Sequence, residues 1–412
     1  MTEDILTAPT ASELDRPVAM HALVFQADGD EVTVGRRDID SYGVFPAEGA
    51  ELIRRLAAGM TPREAAGWYH TVYGERVDIM DFLLALDELE FVRAPGEPAG
   101  EAPQVRWQRL GIAAFSPPAV LGYGVLLTWA LVVIVRKPDI DLDFHNLFFS
   151  ESILVVSAVL IIGQIPGLFL HEGFHALAAR RLGLRSRFAI SYRLYYIVFE
   201  TSLDGLVSVP RKQRYLPVLA GMLADALWAA VLTLAADFCR MADGSLSMAG
   251  KVLLALAFST IARFCWQCFI YLRTDLYVLI SVVSGCVDLD STARKALRNR
   301  FDRLRGRREV RYDETSWHPS DRSAAKWYMW LLLVGSSAMI FWLTLQVIPA
   351  FYHLLTIVLG RFAAGTNATT AQLTDSVVFL SAVFVQFFVI ALVMLRDRRQ
   401  ARTRPPQQHV MT

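Results

Sequence analysis

SILVVSAVLIIGQIPGLFLHEGFHALA, residues 152–178, decides the fold: it is an apolar run long enough to cross a bilayer, yet it carries ionisable side chains near its end. His171, Glu172 and His175 stand within five positions, although a single charge inside a membrane costs about 3 kcal/mol. Residues four apart share one face of a helix, so the two imidazoles can bind one metal ion. Glu172 lies beside that face, in the position of the general base of a zinc peptidase. The alternative, two histidines at the membrane interface, leaves Glu172 without a role.

Six apolar runs predict a mainly α-helical, polytopic membrane protein. Hydrophobic residues make up 54% of the 412 positions and the mean hydropathy is +0.35, with the excess concentrated after residue 110. This is too apolar for an ordinary soluble protein. A short β-hairpin is expected around 188–208, close to the metal-binding motif, because the sequence there alternates between apolar and polar residues. The predicted spans are 114–135, 152–178, 215–238, 250–272, 327–350 and 374–395.

The distribution of basic residues predicts the topology. Arginine and lysine cluster after span two, before span three, between spans four and five at 294–311, and after span six. All of these segments fall on one side of the membrane if the N-terminus is cytoplasmic, so the positive-inside rule places both termini in the cytoplasm. We expect a multi-pass membrane protein. The basic stretch at 294–311 is more typical of an anchor on anionic lipid than of nucleic-acid binding.

A small soluble domain is predicted before the spans, at 18–93. It contains three short β-leaning runs at 21–26, 31–35 and 41–45, followed by amphipathic helices at about 47–58, 62–74 and 78–90. This order indicates a winged-helix-like α/β domain. The first 17 residues lack the basic and apolar segments of a signal peptide. The remaining predicted segments are a disordered tail at 1–17, a Pro/Gly/Glu linker at 94–110, the transmembrane domain at 111–396 and a basic cytoplasmic tail at 397–412.

The N-terminal segment resembles the PqqD-like peptide chaperones, which hold the leader peptides of ribosomally made, modified natural products. The pattern in which GMTPREAAGWYHTVYG leads into VDIMDFLLALDELEFV carries this resemblance over about 75 residues. It implies that a peptide adds as a strand beside Ser41 and Phe45, against the helix that carries Phe82. The alternatives are a winged helix that binds DNA and one that only packs on the membrane domain. The third predicted helix is acidic and would repel phosphate, so we expect no nucleic-acid partner.

Three acidic residues are candidates for a third metal ligand, since a catalytic zinc takes three protein ligands and keeps one position open. Asp275 ends the predicted span four on the cytoplasmic side, level with the histidines. Asp225 lies in the middle of span three, and Glu200 lies in the predicted hairpin. Depth in the membrane ranks Asp275 first, Asp225 second and Glu200 third.

Three motifs in order over about 150–285 resemble the site-2-type intramembrane zinc metallopeptidases, in particular their bacterial peptide zinc metalloprotease subgroup. These motifs are HEGFHALAARRLG, ETSLDGLVSVPRKQRYLPVLAGMLAD and YLRTDLY. The resemblance implies Zn²⁺ ligation by His171, His175 and Asp275, with Glu172 as the catalytic acid/base. The chain departs from the family pattern at Gly173, which occupies the first variable position of the motif. It departs again at Leu276, which replaces a common glycine, and at Asp225, where many members have asparagine.

Asp225 and Arg263 are predicted to pair, because opposite charges inside a membrane are least unfavourable together. The alternative is that Arg263 bonds backbone carbonyls. Both residues, together with Ser41, Phe45 and Phe82, are also candidates for contact with a substrate.

The predicted function is a zinc endopeptidase that removes a leader from a precursor peptide. The partners expected are that peptide, the lipid bilayer and a peptide exporter. Two alternatives stand beside it: regulated proteolysis of a membrane-bound regulator, and a non-catalytic membrane protein that binds or exports a peptide.

Overall fold

The computed structural model describes residues 13–94, 96–98, 105–150, 152–193, 196–203, 205–306, 311–342, 344–345, 348–363 and 369–403. Helices predominate in these segments, which confirms the mainly α-helical class. Residues 1–12 of the predicted tail at 1–17 lie outside the described residues. Parts of the predicted linker at 94–110 and the end of the predicted C-terminal tail also lie outside them.

The N-terminal domain consists of a small sheet followed by three helices. Strands β1 (Val24–Asp28), β2 (Glu31–Arg36) and β3 (Ser41–Pro46) pair antiparallel in the order β1-β2-β3, so β1 and β3 are its edges. Helices α1 (Ala47–Ala57), α2 (Pro62–Tyr73) and α3 (Ile79–Glu88) follow. All six elements begin within a few residues of the predicted positions.

These helices start at the residues whose side chains cap them. Thr61 and Glu64 form a capping box at the start of α2, and Pro62 occupies its first turn. Asp78 caps α3 by accepting two backbone N–H groups of the first turn. The apolar faces of the helices then pack on one face of the sheet, around a core formed by Val32, Val34, Leu52, Ile53, Leu56, Leu83 and Leu86.

Order extends into both segments that flank this domain. Glu13–Asp15 forms a short 3-10 turn whose Leu14 packs against the domain core, and the Asp15 carboxylate accepts a hydrogen bond from Arg63 at 2.6 Å. The predicted disordered tail is therefore structured from residue 13. The predicted linker also ends earlier than position 110, because α4 (Gln108–Ala114) begins within it and packs on the metal-motif helix.

Six helices are long and apolar enough to cross a membrane, within the described segments. This agrees with the number of predicted spans. They are α5 (Pro117–Arg136), α6 (Ile153–Arg181), α7 (Arg211–Phe238), α8 (Met248–Trp266), α11 (Pro319–Trp342) and α13 (Thr370–Thr403). The predicted hairpin is present between α6 and α7 as β4 (Ser186–Arg193) and β5 (Tyr196–Leu203), paired antiparallel.

Helix α7 lies at the centre of the membrane domain and packs against α5, α6 and α8. Its inner surface carries small residues, among them Ala220, Gly221, Ala224 and Ala229, all of which are buried. Small side chains let neighbouring backbones approach closely, which is how helices associate where lipid removes the hydrophobic driving force. Both α6 and α9 (Asp275–Ser284) pack against α7.

The chain around residues 267–304 differs from the prediction. Helix α8 ends at Trp266 rather than at 272, and Arg273 adopts a left-handed conformation with φ of 57°. Helix α9 (Asp275–Ser284) starts just after it and is followed by α10 (Leu289–Leu304) at an angle of 86°. Asp275 therefore begins a helix instead of ending span four. An unpredicted helix, α12 (Ile348–Ala363), follows α11, which ends at Trp342 rather than at 350.

Polar contacts attach the N-terminal domain to the membrane domain. The Asp28 carboxylate accepts a hydrogen bond from Arg211 at 3.1 Å, and Glu31 lies 3.1 Å from the His318 ring. Arg37 donates to the Ser208 hydroxyl at 3.0 Å. These contacts attach the sheet to the start of α7, to the turn before it and to the residue before α11.

Candidate metal centre

Helix α6 brings His171 and His175 together. Ser152 caps its start, and the two histidines stand at an interval of four along its length, so their rings lie on one face. Both side chains are buried, and their Nε2 atoms are 3.2 Å apart. Two ring nitrogens at this separation are close enough to bind one metal ion.

Asp275 supplies the third donor atom from the first turn of α9. Its backbone N–H donates to the Gln267 side-chain oxygen at 3.0 Å, and the Thr274 hydroxyl donates to the Gln267 carbonyl at 2.7 Å. These bonds fix the turn that separates α8 from α9. Asp275 Oδ2 lies 3.3 Å from Nε2 of each histidine, although this buried atom makes no hydrogen bond within the described residues.

The triangle of donor atoms has the size that a tetrahedral metal ion requires. Its sides measure 3.2, 3.3 and 3.3 Å. Ligands held at about 2.0–2.1 Å in a tetrahedral arrangement lie about 3.3–3.4 Å from one another. The donor set of two imidazoles and one carboxylate leaves a fourth position open. The residues present therefore fit a catalytic metal ion.

The second ring nitrogen of each histidine is also occupied. His171 Nδ1 lies 3.0 Å from Asp225 Oδ2, and His175 Nδ1 lies 2.7 Å from the Pro217 carbonyl oxygen. Because an acceptor faces each Nδ1, we assign the proton to Nδ1 and the lone pair to Nε2. Carboxylate and carbonyl acceptors of this kind orient metal-binding histidines and increase their basicity.

Asp225 connects His171 to a buried polar network. The ion pair predicted from the sequence is present, with Arg263 donating to Asp225 Oδ1 at 3.1 and 2.6 Å. Arg263 also donates to the Gln164 side chain at 2.7 Å. Asp225 has no exposed surface, so it supports His171 rather than offering a surface to a substrate. Glu200 lies in β5 opposite Ala189, and its side chain is outside the described residues.

One face of α7 forms the wall of this centre. Pro217, Gly221 and Asp225 follow one another at intervals of four and therefore share a face. The first binds His175 through its carbonyl, and the third binds His171. A Cβ atom at Gly221 would overlap His175 Nε2 and lie 2.5 Å from His171 Nε2. Gly221 leaves the space in which the two nitrogens converge.

Glu172 is held by the hairpin. Its Oε2 accepts a hydrogen bond from the Thr201 hydroxyl at 2.7 Å, and its side chain is buried. Thr201 lies in β5, opposite Phe188 in the β4–β5 register. The hairpin thus fixes a carboxylate next to the two histidines.

Several groups around the centre were not identified from the sequence, among them Gln164, Thr201, Gln267, the Pro217 carbonyl and Gly221. The spacing of proline, glycine and aspartate along α7 was an available signal, because it matches the interval of four between the histidines. Thr201 carries no comparable signal, since nothing local shows which hairpin residue faces α6.

The substrate candidates in the N-terminal domain lie together, separately from the donor triangle. Phe45 and Phe82 make an edge-to-face ring contact with centroids 6.2 Å apart. The Ser41 hydroxyl donates to the Leu89 carbonyl at 2.8 Å. Both contacts join edge strand β3 to the region of α3.

No family model, no curated protein and no solved structure matches this chain.

Proposed function

We propose that this protein is a membrane-embedded zinc endopeptidase. The donor triangle of His171, His175 and Asp275 supports this proposal most directly, because its dimensions suit tetrahedral coordination with one open position. Nitrogen and oxygen donors in this combination are typical of catalytic zinc. Glu172, next to the triangle in sequence, completes the set that peptide hydrolysis needs.

Zinc at this site would supply a Lewis acid that polarises the peptide carbonyl and lowers the pKa of water. Glu172 accepts the proton that water loses as its oxygen bonds to the carbonyl carbon. The same carboxyl then donates this proton to the amine nitrogen as the C–N bond breaks. The Thr201 hydroxyl keeps the carboxylate in one orientation throughout. Asp225 and the Pro217 carbonyl hold the two imidazoles.

The hairpin suggests how a substrate is presented. A helical peptide has its amides already paired, so it must become extended before cleavage. Strands β4 and β5 form a two-stranded sheet that contacts α6 beside Glu172. Such a sheet can pair with an extended substrate along an edge.

The N-terminal domain supports a soluble precursor peptide as the substrate. Its winged-helix-like order and edge strand β3 suit capture of a leader peptide beside Ser41 and Phe45. Tethering that peptide to the catalytic domain raises its effective concentration there. We therefore propose leader removal from a modified precursor peptide, in a bacterial inner membrane with both termini cytoplasmic, with a peptide exporter as a further partner.

Cleavage by the Glu172→Gln variant tests this proposal. Wild type and variant are reconstituted in liposomes with a randomised decapeptide library, and new N-termini are counted by mass spectrometry. We expect the variant to lose about 100- to 10,000-fold in rate while retaining zinc, because it keeps the ligands and loses the proton acceptor. Glu88→Gln, on α3, is the matched control and should cleave normally. Equal cleavage by Glu172→Gln and wild type would refute the peptidase assignment and favour the non-catalytic peptide carrier.

A further inference from the structure

A cleft separates the N-terminal sheet from the helices of the metal centre. Its volume is about 640 Å³, within the range of ligand-binding sites. One wall is the face of the sheet opposite the domain core, with Thr33, Tyr42 and Val44. The other wall is formed by α9, the start of α7 and the turn before α7.

The residues that line the cleft include solvent-exposed valines and more carboxylates than arginines. Val44, Val207 and Val278 have 50, 43 and 37% of their surface exposed, so the cleft presents apolar side chains that the fold leaves uncovered. Three carboxylates, two arginines and His318 also line the cleft, and the His318 ring lies 3.1 Å from the Glu31 carboxylate. Asp28 is paired with Arg211, and Asp30 is exposed at the rim. The cleft therefore favours an apolar side chain flanked by a basic one.

Both helices of the second wall also carry the metal centre. Val278 lies three residues after Asp275 on α9, and Arg214 lies three residues before Pro217 on α7. Three residues of helix correspond to about 4.5 Å along the axis. The part of the cleft that Val278 lines is therefore about one helical turn along α9 from Asp275, which carries one donor of the triangle.

The shape of the sheet wall points to an extended peptide as the occupant. Strand β3 is an edge of the sheet, and its Tyr42 and Val44 face the cleft, as expected for residues two apart. A peptide added to this edge alternates its side chains, so every second one would enter the cleft.

We propose that this cleft binds the part of the leader next to the scissile bond: the extended strand that pairs with β3 places an apolar side chain on the valines and a basic one near Asp30. This inference rests on the proposed peptidase function. It goes further because it assigns selectivity for the substrate's sequence to the cleft between the two domains.

Peptide binding to the reconstituted Glu172→Gln protein tests the cleft without cleavage. The probes are two fluorescein-labelled decapeptide libraries of random sequence, one with lysine fixed at a central position and one with glutamate there. Val278→Trp fills the cleft. Val283→Trp is its matched control, because Val283 lies on α9, is exposed and does not line the cleft. Asp30→Lys reverses the charge at the rim. Zinc content verifies that each variant retains its metal centre.

We expect the lysine library to bind more tightly than the glutamate library. Val278→Trp should weaken binding by about tenfold or more, since an indole occupies the space of a peptide side chain. Val283→Trp should bind like its parent, and Asp30→Lys should reverse the preference between the libraries. The proposal is overturned if neither library binds the parent protein, if both tryptophan variants behave alike, or if Asp30→Lys leaves the preference unchanged.

The two proposals fail in different ways. Peptide binding that responds to Val278→Trp, with no cleavage by wild type, would support the proposed peptide site in the cleft and refute the peptidase function. Cleavage by wild type, with peptide binding insensitive to the cleft variants, would support the peptidase function and refute the proposed peptide site in the cleft.

Discussion

Replacement of Gly221 by alanine should weaken zinc binding, even though Gly221 lies outside the metal motif. The added Cβ would overlap His175 Nε2 and lie 2.5 Å from His171 Nε2. Carbon-to-atom contacts normally begin at about 3.5 Å, so at least one imidazole must move by about 1 Å. Neither ring can swing freely, since their Nδ1 atoms are bonded to Pro217 and Asp225.

The expected magnitude follows from this overlap. Overpacking of a filled interior costs about 1–3 kcal/mol, which corresponds to about 5- to 150-fold in an equilibrium constant. We expect most of this cost to fall on the metal-bound state, because the displaced atoms are the ligand nitrogens. The assay is competition for zinc between the detergent-purified protein and a fluorescent chelator.

Gly173→Ala is the matched control. This glycine lies inside the metal motif, but a Cβ there meets no atom within 4 Å. Alanine also favours a helix over glycine by about 1 kcal/mol. Gly173→Ala should therefore bind zinc as tightly as wild type. Unchanged zinc affinity in Gly221→Ala, or an equal loss of zinc affinity in the two variants, would refute the claim that Gly221 leaves space for the ligand nitrogens.

Three other substitutions test two groups around the centre and one ion pair of the N-terminal domain. Asp225→Ala should weaken zinc binding by about 10- to 100-fold in the same assay, because His171 loses the acceptor that orients it; unchanged affinity would assign Asp225 only to its pair with Arg263. Thr201→Val should lower kcat by about tenfold with zinc content unchanged, since Glu172 loses its one described side-chain donor, and equal kcat values would exclude an orienting role. The hydrogen bond from Arg36 lowers the pKa of Asp38, so this pair stabilises the N-terminal domain above the ordinary carboxyl pKa of about 3.9 and ceases to do so as pH falls through the lowered value. Hydrogen exchange of β2 in Asp38→Asn should show a smaller loss of protection in acid than wild type, and identical pH profiles would contradict the linkage.

The fold was largely predictable because hydropathy and capping are local signals. The number of candidate spans, the hairpin and the helices of the N-terminal domain all follow from residues close in sequence. The break between α8 and α9 did not follow, because it depends on Gln267 accepting two hydrogen bonds, one at its side-chain oxygen from the Asp275 N–H and one at its backbone carbonyl from the Thr274 hydroxyl. Hydropathy averages over such a turn and cannot detect it.

The metal motif was predictable for a similar reason, whereas its surroundings were not. An interval of four places His171 and His175 on one face whatever the rest of the chain does. The pairing of Asp225 with Arg263 was predictable as well, since each charge needs a partner in the membrane. The roles of Gly221 and Thr201 depend on how α7 and the hairpin pack against α6, and that packing is a tertiary property.

Zinc content of the detergent-purified, metal-replete protein tests the central claim most directly. Wild type is compared with His171→Ala and Asp275→Ala, each of which removes one donor of the triangle, and with Glu172→Gln, which removes none. We predict about one zinc ion per chain in wild type and Glu172→Gln, and loss of the metal in the other two variants. Wild type without zinc, or Asp275→Ala with a full complement, would contradict the proposed centre.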